Sequence, residues 1–182
     1  MRLATERLTI RRLTPGDARF IFELVNEPPW LAYIGNKGVL TLDDADAYIR
    51  KGPMRMYADR GFGLCLVERN DDGTPMGMCG LIKRDTLADV DLGFAFLQRF
   101  WGAGYALEAA AATVAFAWDT LRLPRIVAIT TRDNRRSSQL LRKLGFAFED
   151  HVKPDADGDE LELYALTMPA NDVRVGTTPV GR

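Results

Sequence analysis

The residues with the clearest chemical potential are two glycines, Gly102 and Gly104, which separate a strand-like segment from a helix-like segment. The first segment, VDLGFAFL, spans Val90–Leu97, and the second is rich in alanine and begins at Tyr105. In the first turn of a helix the backbone N–H groups have no partner within the helix, and the macrodipole adds positive potential. Because glycine has no Cβ, a bulky anion can approach the main chain closely at this turn. The pattern therefore predicts a binding site for a phosphorylated cofactor.

Two common phosphate-binding motifs do not fit this turn. A dinucleotide-binding motif has a third glycine at the position that Leu107 occupies here. A P-loop has lysine and then serine or threonine after its last glycine, whereas Tyr105 and Ala106 follow Gly104. On these residues alone an alternative stays open, namely a tight strand-to-helix turn that needs glycine only for its conformation.

Longer blocks of sequence narrow the choice. The glycine turn, with Arg99 three residues before its first glycine, resembles the acyl-CoA signature of the GNAT acetyltransferases. Three blocks resemble, in the same order, three characteristic segments of the RimJ/RimL branch, which acetylates the N-termini of ribosomal proteins. The blocks are Ala4–Leu13, Asp91–Ala110 and Arg132–Phe146. Together the blocks extend from residue 4 to residue 146, within the span 4–168. The chain is therefore identified, by resemblance, as a GNAT N-acetyltransferase of this branch.

The resemblance and the mixed order of predicted strands and helices imply a mixed α/β (α+β) fold. We expect one mainly antiparallel central sheet of six to seven strands, flanked by about four helices. The length of 182 residues fits a single domain, which we place at residues 1–168, followed by a loose tail at 169–182. Similar proteins are often dimers, so a homodimer is an open expectation.

The composition is that of a soluble globular protein, with 47% hydrophobic and 27% charged residues. The chain has no long uncharged apolar run and no apolar signal-peptide core, so we expect a cytoplasmic protein without membrane contact. The formal net charge of −1 gives no overall attraction to nucleic acid. Cys65 and Cys79 lack the spacing and the histidine partners of a zinc site, so no metal is predicted. The only histidine, His151, is expected at the surface.

The resemblance implies acetyl-CoA as the cofactor and assigns its contacts. Main-chain groups of Phe94 to Leu97 would pair with the pantetheine arm, and amides from Gly102 to Ala106 would hold the pyrophosphate. Arg135 and Arg136 would pair with phosphates, while Asn134 would contact the cofactor or simply cap a helix. The implied contacts are, in chain order, Phe94, Ala95, Phe96, Leu97, Arg99, Gly102, Ala103, Gly104, Tyr105, Ala106, Asn134, Arg135, Arg136 and Ser137.

Two residues are candidates for the chemistry of acetyl transfer. Asp91 lies where similar sequences carry an acidic residue and would relay a proton from the amine through water. The alternative is a surface carboxylate, like Asp89 on the same strand face. Ser137 matches the serine of the branch motif and would protonate the leaving thiolate, although serine is also ordinary in the first turn of a helix. The tyrosine that many relatives use for this step is replaced here by Leu141.

The acceptor is expected to be a primary amine. Freeing a lysine-like amine of its proton near pH 7 costs about 4–5 kcal/mol, whereas a peptide α-amine costs only about 1 kcal/mol. Because no strong base is evident, the N-terminal α-amine of a protein or peptide is favoured, in a pocket formed by Trp30, Tyr33, Lys37 and Tyr164. A small-molecule amine (an aminoglycoside, polyamine or amino acid) is the alternative substrate. A catalytically silent acyl-CoA-binding module is the alternative outside the enzyme class.

Local signals predict the elements that must position these groups. Thr14 is expected to cap a helix, a loop is expected from Trp30 to Leu42, and Pro53 should break or kink the helix that follows. Cys65 and Cys79 should face each other across a hairpin. A helix over Tyr105–Leu121, whose alanines allow close approach to a sheet, should carry one apolar stripe formed by Leu107, Ala111, Val114, Trp118 and Leu121.

Overall fold

One sheet of eight strands runs through the part of the protein that the computed structural model describes, residues 2–154 and 158–168. The strand order is β1-β2-β3-β4-β5-β6-β8-β7, and all neighbours are antiparallel except β5 and β6, which are parallel. The strands are β1 Arg2–Ala4, β2 Leu8–Arg12, β3 Leu64–Arg69, β4 Pro75–Ile82, β5 Val90–Phe96, β6 Arg125–Thr130, β7 Ala147–Val152 and β8 Leu161–Thr167. The tail predicted at 169–182 lies outside the described residues.

Six α-helices accompany this sheet in the described ranges. They are α1 Ala18–Val25, α2 Pro28–Tyr33, α3 Leu42–Ile49, α4 Arg55–Arg60, α5 Tyr105–Asp119 and α6 Arg135–Lys143. The expected mixed fold with a mainly antiparallel sheet is confirmed, with more strands and helices than predicted. The added strand is β1, which pairs Leu3 with Ile10 of β2. Three residues are too few to show an alternating pattern, so sequence periodicity did not reveal it.

The helix α2 replaces the first part of the loop predicted from Trp30 to Leu42. Its first two positions are Pro28 and Pro29, and Glu27 before them is extended. Proline has no N–H to lose at the start of a helix and a φ that suits it, so the pair begins this helix rather than only ending the previous one. The indole of Trp30 is buried against α1 and α3 and anchors the short helix to the core.

Two local signals act as predicted in the first half of the chain, namely the cap at Thr14 and the perturbation at Pro53. Thr14 and Asp17 form a reciprocal capping box ahead of α1, and Thr41 and Asp44 form a second one ahead of α3. Pro53 lies in a π-helical turn, Arg50–Met54, that joins α3 to α4. The proline therefore perturbs the helix without ending the chain's helical course.

The hairpin of β3 and β4 brings the two cysteines together as expected. Cys65 is the register partner of Cys79, and both are free and buried. Burial raises the pKa of the Cys65 thiol to about 11 and that of Cys79 to about 12, so both stay protonated at neutral pH. They act as small core residues.

The face of α5 that meets the sheet differs from the predicted stripe. The buried positions are Ala109, Ala110, Thr113, Val114 and Ala117, and of the predicted stripe only Val114 is among them. Small residues let the helix axis approach the sheet closely, so that Thr113 Oγ1 lies 3.4 Å from Cys79 Sγ on β4. The larger residues pack along the sides of the helix, because the space directly under it has no room for them.

The close contact between β3 and β4 gives a test of this packing. A Cβ added at Gly80 would lie 2.8 Å from Leu64 Cα and closer still to the carbonyl oxygen of Gly63. Gly80→Ala should therefore lower the free energy of unfolding by about 2 kcal/mol, because backbone atoms cannot yield as a flexible side chain does. Gly52→Ala is the matched control, since nothing lies within 4 Å of its added Cβ. Urea unfolding that shows equal stability for the two variants would contradict the packing described.

Candidate functional site

The strands β5 and β6 separate soon after they meet. They form parallel pairs only at Val90 with Ile126 and at Asp91 with Val127. On its other side β5 keeps its pairing with β4 from Asp91 to Phe96. In the described sheet, the β6-facing edge of β5 beyond Asp91 is therefore left without a strand partner. Such an edge can hydrogen-bond an extended ligand as an added strand would.

The separation opens into two adjoining cavities. The first, here called the glycine-turn compartment, has a volume of about 390 Å³ and lies between β5, β6, the glycine turn and α6. The second, here called the Asp91 compartment, has a volume of about 350 Å³ and lies between β4, β5 and the segment from α2 to α4. Both are lined by Trp30, Ile34, Phe94, Ala95, Ile129 and Ser137. One cleft thus has two ends that meet at a shared wall.

The glycine turn presents main-chain donors to its compartment. Gly102 and Gly104 have φ of +82° and +84°, and Gly104 is the N-cap of α5. A side chain at either position would be strained, so glycine is required by the backbone here. Trp101 Nε1 donates to the carbonyl oxygen of Phe96 at 2.8 Å and ties the turn back to β5. The Arg136 guanidinium lies over the Trp101 ring at 5.2 Å, which adds positive charge beside the helix N-terminus.

A cluster of polar side chains fixes the other side of the turn. Glu108 on α5 accepts hydrogen bonds from Thr5 Oγ1 at 2.6 Å, from the Arg7 backbone N at 3.0 Å and from Arg7 Nε at 2.7 Å. Arg7 also donates to the carbonyl oxygen of Ala103 at 2.9 Å and lies over the Tyr105 ring. We call these residues the Thr5–Arg7–Glu108 clamp. It links the segment before β2 to the first turn of α5.

The start of α6 forms the shared wall of the cleft. Asn134 Oδ1 accepts from the backbone N of Ser137 at 3.1 Å, which is the predicted N-cap contact. Ser137 lines both compartments. Ser137 therefore lies at the boundary between them.

Asp91 is a buried carboxylate that is paired with Arg84 and not the surface carboxylate of the alternative prediction. Its side chain is 2% exposed, and Oδ2 accepts from Arg84 Nε at 2.6 Å. Burial raises its pKa, while the adjacent Arg84 guanidinium works against that rise. Oδ1 has no hydrogen-bond partner within residues 2–154 and 158–168. Asp89, which was expected on the same strand face as Asp91, pairs instead with Arg125 at 2.9 Å.

The cleft brings together most of the residues that the sequence singled out. The glycine-turn compartment is lined by predicted residues Trp30, Tyr33, Phe94, Ala95, Phe96, Gly102, Gly104, Tyr105, Ala106, Asn134, Arg136 and Ser137. The Asp91 compartment adds Lys37 and Asp91.

Five predicted residues do not line either compartment. Leu97 is fully buried, and its backbone N donates to the Met76 carbonyl oxygen. Arg99 pairs with Glu23 on α1, and Ala103 offers its carbonyl oxygen to the clamp. Arg135 is exposed outside the cleft, and Tyr164 is buried, with its hydroxyl donating to Glu162 at 2.9 Å. Each has a protein partner or a solvent position that directs it away from the cleft. The residues concerned are Leu97, Arg99, Ala103, Arg135 and Tyr164.

Sequence reasoning missed Arg84 and the clamp. Arg84 lies two residues after Ile82, the last residue of β4, and Ile82 is the register partner of Asp91. The register of the hairpin formed by β4 and β5 could therefore have indicated that Arg84 lies near Asp91. For the clamp, the signal was the presence of Thr5 and Arg7 in one resembling block and Glu108 in another. Neither block indicates that these residues are in contact, because about a hundred positions of sequence separate Thr5 and Arg7 from Glu108.

Other kinds of site are not found among the described residues. They contain no group of three or more histidine, cysteine, aspartate or glutamate residues that could hold a metal ion. None of their helices has both the length and the apolar character needed to cross a membrane.

Comparison with known proteins gives one consistent family. The family model for the acetyltransferase (GNAT) domain matches residues 7–147. An uncharacterized N-acetyltransferase, YoaA of Bacillus subtilis, is 29% identical over 174 residues, which are 92% of this chain and 97% of that protein. A putative ribosomal N-acetyltransferase, YdaF of the same organism, is 28% identical and is covered over 82% of its length by 81% of this chain. The crystal structure of an acetyltransferase from Agrobacterium tumefaciens superimposes with a TM-score of 0.78 at 26% identity, covering 92% of this chain and 95% of that one.

The clamp predicts a measurable effect on the glycine turn. Glu108→Gln should lower the free energy of unfolding by about 1 kcal/mol, because it loses charge-assisted hydrogen bonds, and should speed amide exchange over residues 102–108. Glu23→Gln is the matched control, since its pair with Arg99 is about half exposed and should contribute little. Unchanged exchange at the turn in Glu108→Gln would show that the clamp does not hold it.

The difference in stability between the wild type and Glu108→Gln should depend on pH in a defined way. Burial alone would raise the pKa of Glu108, but hydrogen bonds from Thr5 and Arg7 bring it below its usual value. A lowered folded-state pKa contributes stability above the unfolded value of about 4.3, and this contribution is lost as the pH falls through the folded value. The stability difference between the wild type and Glu108→Gln should thus be full at pH 7 and shrink below about pH 4.

Proposed function

The chain belongs to the GNAT acetyltransferase family, and from this we propose that it transfers the acetyl group of acetyl-CoA to the N-terminal α-amine of a protein or peptide. Membership of the family confirms the resemblance seen in the three sequence blocks. What we propose beyond family membership is the identity of the amine acceptor and the roles of individual residues.

One observation carries the proposal: the free edge of β5 and the N-terminus of α5 border the same compartment. An acyl-CoA has a pyrophosphate that needs clustered donors and a pantetheine arm that carries two amides. The amides of Tyr105 and Ala106 at the helix start suit the first need, and the unpaired edge from Leu92 to Phe96 suits the second. Arg136 adds a cation near the phosphates. The residues present therefore fit this cofactor.

In the proposed reaction the amine attacks the acetyl carbonyl directly, in a ternary complex. A main-chain N–H of β5 polarises the carbonyl oxygen, and the thioester C–S bond breaks as the new C–N bond forms. The amine loses its proton, and the departing thiolate gains one. Ser137, at the boundary of the compartments, is the proposed donor to the sulfur.

The α-amine is favoured because, among the described residues, no histidine lines either compartment, and of the two carboxylates that do, Glu27 accepts from the Gln98 backbone N at 2.9 Å. His151 lies on β7 and lines neither compartment, and Asp91 is sealed behind Arg84. Near pH 7 about a tenth of an amine of pKa about 7.7–8.0 is neutral, whereas less than about a thousandth of a lysine amine of pKa about 10.4 is. The name of the relative YdaF, a putative ribosomal N-acetyltransferase, supports the same class of acceptor.

This arrangement modifies the expectation for Asp91. A carboxylate with almost no open surface is poorly placed to exchange protons with a bound amine through water. In the proposal the amine arrives neutral from solvent, and Asp91 acts as a positioning residue that holds Arg84.

A panel of amines tests the proposed function. Thiol release from acetyl-CoA should be fastest, by about tenfold or more in kcat/KM, with a peptide that has a free N-terminus. The comparison amines are the same peptide blocked at its N-terminus but carrying a lysine, spermidine and an aminoglycoside. Preference for one of these would support a small-molecule or side-chain acetyltransferase instead. CoA binding without turnover of any amine would support a silent acyl-CoA-binding module.

Ser137 can be tested separately. Ser137→Ala should lower kcat about 10- to 100-fold, because the thiolate loses its proton donor, with little change in CoA affinity. Ser138→Ala is the matched control, since its hydroxyl donates to the Arg135 carbonyl oxygen and lines neither compartment. Equal rates for wild type and Ser137→Ala would remove Ser137 from the mechanism.

A further inference from the structure

We infer that Arg84, fixed by Asp91, is the residue that selects the acceptor, by binding the carbonyl or carboxylate oxygen next to the acceptor amine. The inference rests on the proposed function and names its substrate class: α-aminoacyl compounds, such as peptide N-termini, rather than polyamines. It depends on how the guanidinium is held, on the charge of the compartment and on the chemistry of the competing acceptors.

Arg84 is held at one edge and open at the other. A guanidinium has five N–H donors, and only Nε is engaged by a side chain, namely Asp91 Oδ2 at 2.6 Å. The two terminal nitrogens have no hydrogen-bond partner in the described part of the chain. The Arg84 side chain is 38% exposed and lines the Asp91 compartment, whereas Asp91 is almost completely covered. Both members of the ion pair therefore line the compartment, and Arg84 is by far the more exposed of the two.

The surroundings add to this donor character. Within residues 2–154 and 158–168, Lys37 is the only charged residue besides Arg84 and Asp91 that lines the compartment, so the three formal charges sum to +1. Burial raises the pKa of Tyr48 to about 12, so its hydroxyl stays a donor at neutral pH. The rest of the lining is mostly apolar and includes Met56, Met78, Leu81 and Ile82.

The acidic segment Asp43–Asp46 does not offset this charge. In Asp43–Asp46, Asp44 accepts from Thr41 and Asp46 pairs with Arg50, and none of these carboxylates lines the compartment. A polycation such as spermidine would meet like charge at Lys37 and Arg84 without an accessible carboxylate. An α-aminoacyl group instead carries an oxygen acceptor next to its amine. When the amine is at the boundary formed by Ser137, that oxygen can extend into the compartment toward Arg84.

Matched acceptors and variants test this role. The two acceptors are an alanyl peptide, which has a carbonyl next to its amine, and propylamine, which does not. For each amine we compare kcat/KM of the variant with that of the wild type, because this ratio cancels the intrinsic reactivity of the amine. Arg84→Lys keeps the ion pair with Asp91 but removes the open fork of donors. We expect it to lower kcat/KM for the peptide about 10-fold or more, mainly through KM, and to change the value for propylamine less than 2-fold.

Two further variants separate positioning from general damage. Asp91→Asn should reproduce the peptide-specific loss, because the guanidinium loses its charged anchor while a side-chain acceptor remains. Asp85→Asn, an exposed neighbour that lines neither compartment, should leave both acceptors unaffected.

The outcomes distinguish this inference from the proposed function. An equal loss with peptide and propylamine, or no loss with either, would overturn the role of Arg84 while leaving the acetyltransferase proposal intact. A wild-type preference for spermidine over the peptide would overturn the substrate class. A wild type that acetylates no amine would remove the proposed function, and this inference with it.

Discussion

The organisation of the site depends on one constraint of the sheet, which is that β5 pairs with β4 from Asp91 to Phe96 but with β6 only at Val90 and Asp91. The pairing with β4 continues past the end of β5, since Leu97 N donates to the Met76 carbonyl oxygen. Trp101 then turns the chain back by donating to Phe96. The free edge of β5 must be satisfied by water or by a ligand, because unpaired main-chain groups in a closed interior would be costly. A cleft at this place follows from the pairing itself.

The elements around the cleft convert this opening into a specific site. The helix α5 begins where β5 ends, so its unpaired N–H groups border the same space as the free strand edge. Small residues on α5 allow it to lie close to the sheet, and the Thr5–Arg7–Glu108 clamp fixes its first turn against the segment before β2. At the other end, the ion pair of Arg84 and Asp91 gives the Asp91 compartment its polarity. The proposed positions for cofactor and acceptor thus lie at neighbouring parts of one strand.

Much of this arrangement was predictable from local sequence. The capping boxes, the perturbation at Pro53, the pairing of Cys65 with Cys79 and the Asn134 cap depend on residues near one another in the chain or in one hairpin. The positions proposed to bind through the main chain were also predictable, because they depend on the order of strand, turn and helix. The family itself was recognisable from the three sequence blocks rather than from these local signals.

The remaining features depend on contacts that local sequence does not encode. Arg99 belongs to the motif but pairs with Glu23 on α1, 76 positions away in the sequence. The buried face of α5 was mispredicted because closeness to the sheet selected small residues over large ones. Arg84 could be associated with Asp91 only through the register of β4 and β5.

The central claim is that the free edge of β5 and the glycine turn together bind CoA, and an amide-resolved NMR titration with CoA tests it most directly. The account predicts saturable shifts concentrated at residues 92–96 and 102–107, with little change at β1 or β7. A titration that leaves those two segments unperturbed, while other amides shift or none do, would contradict it.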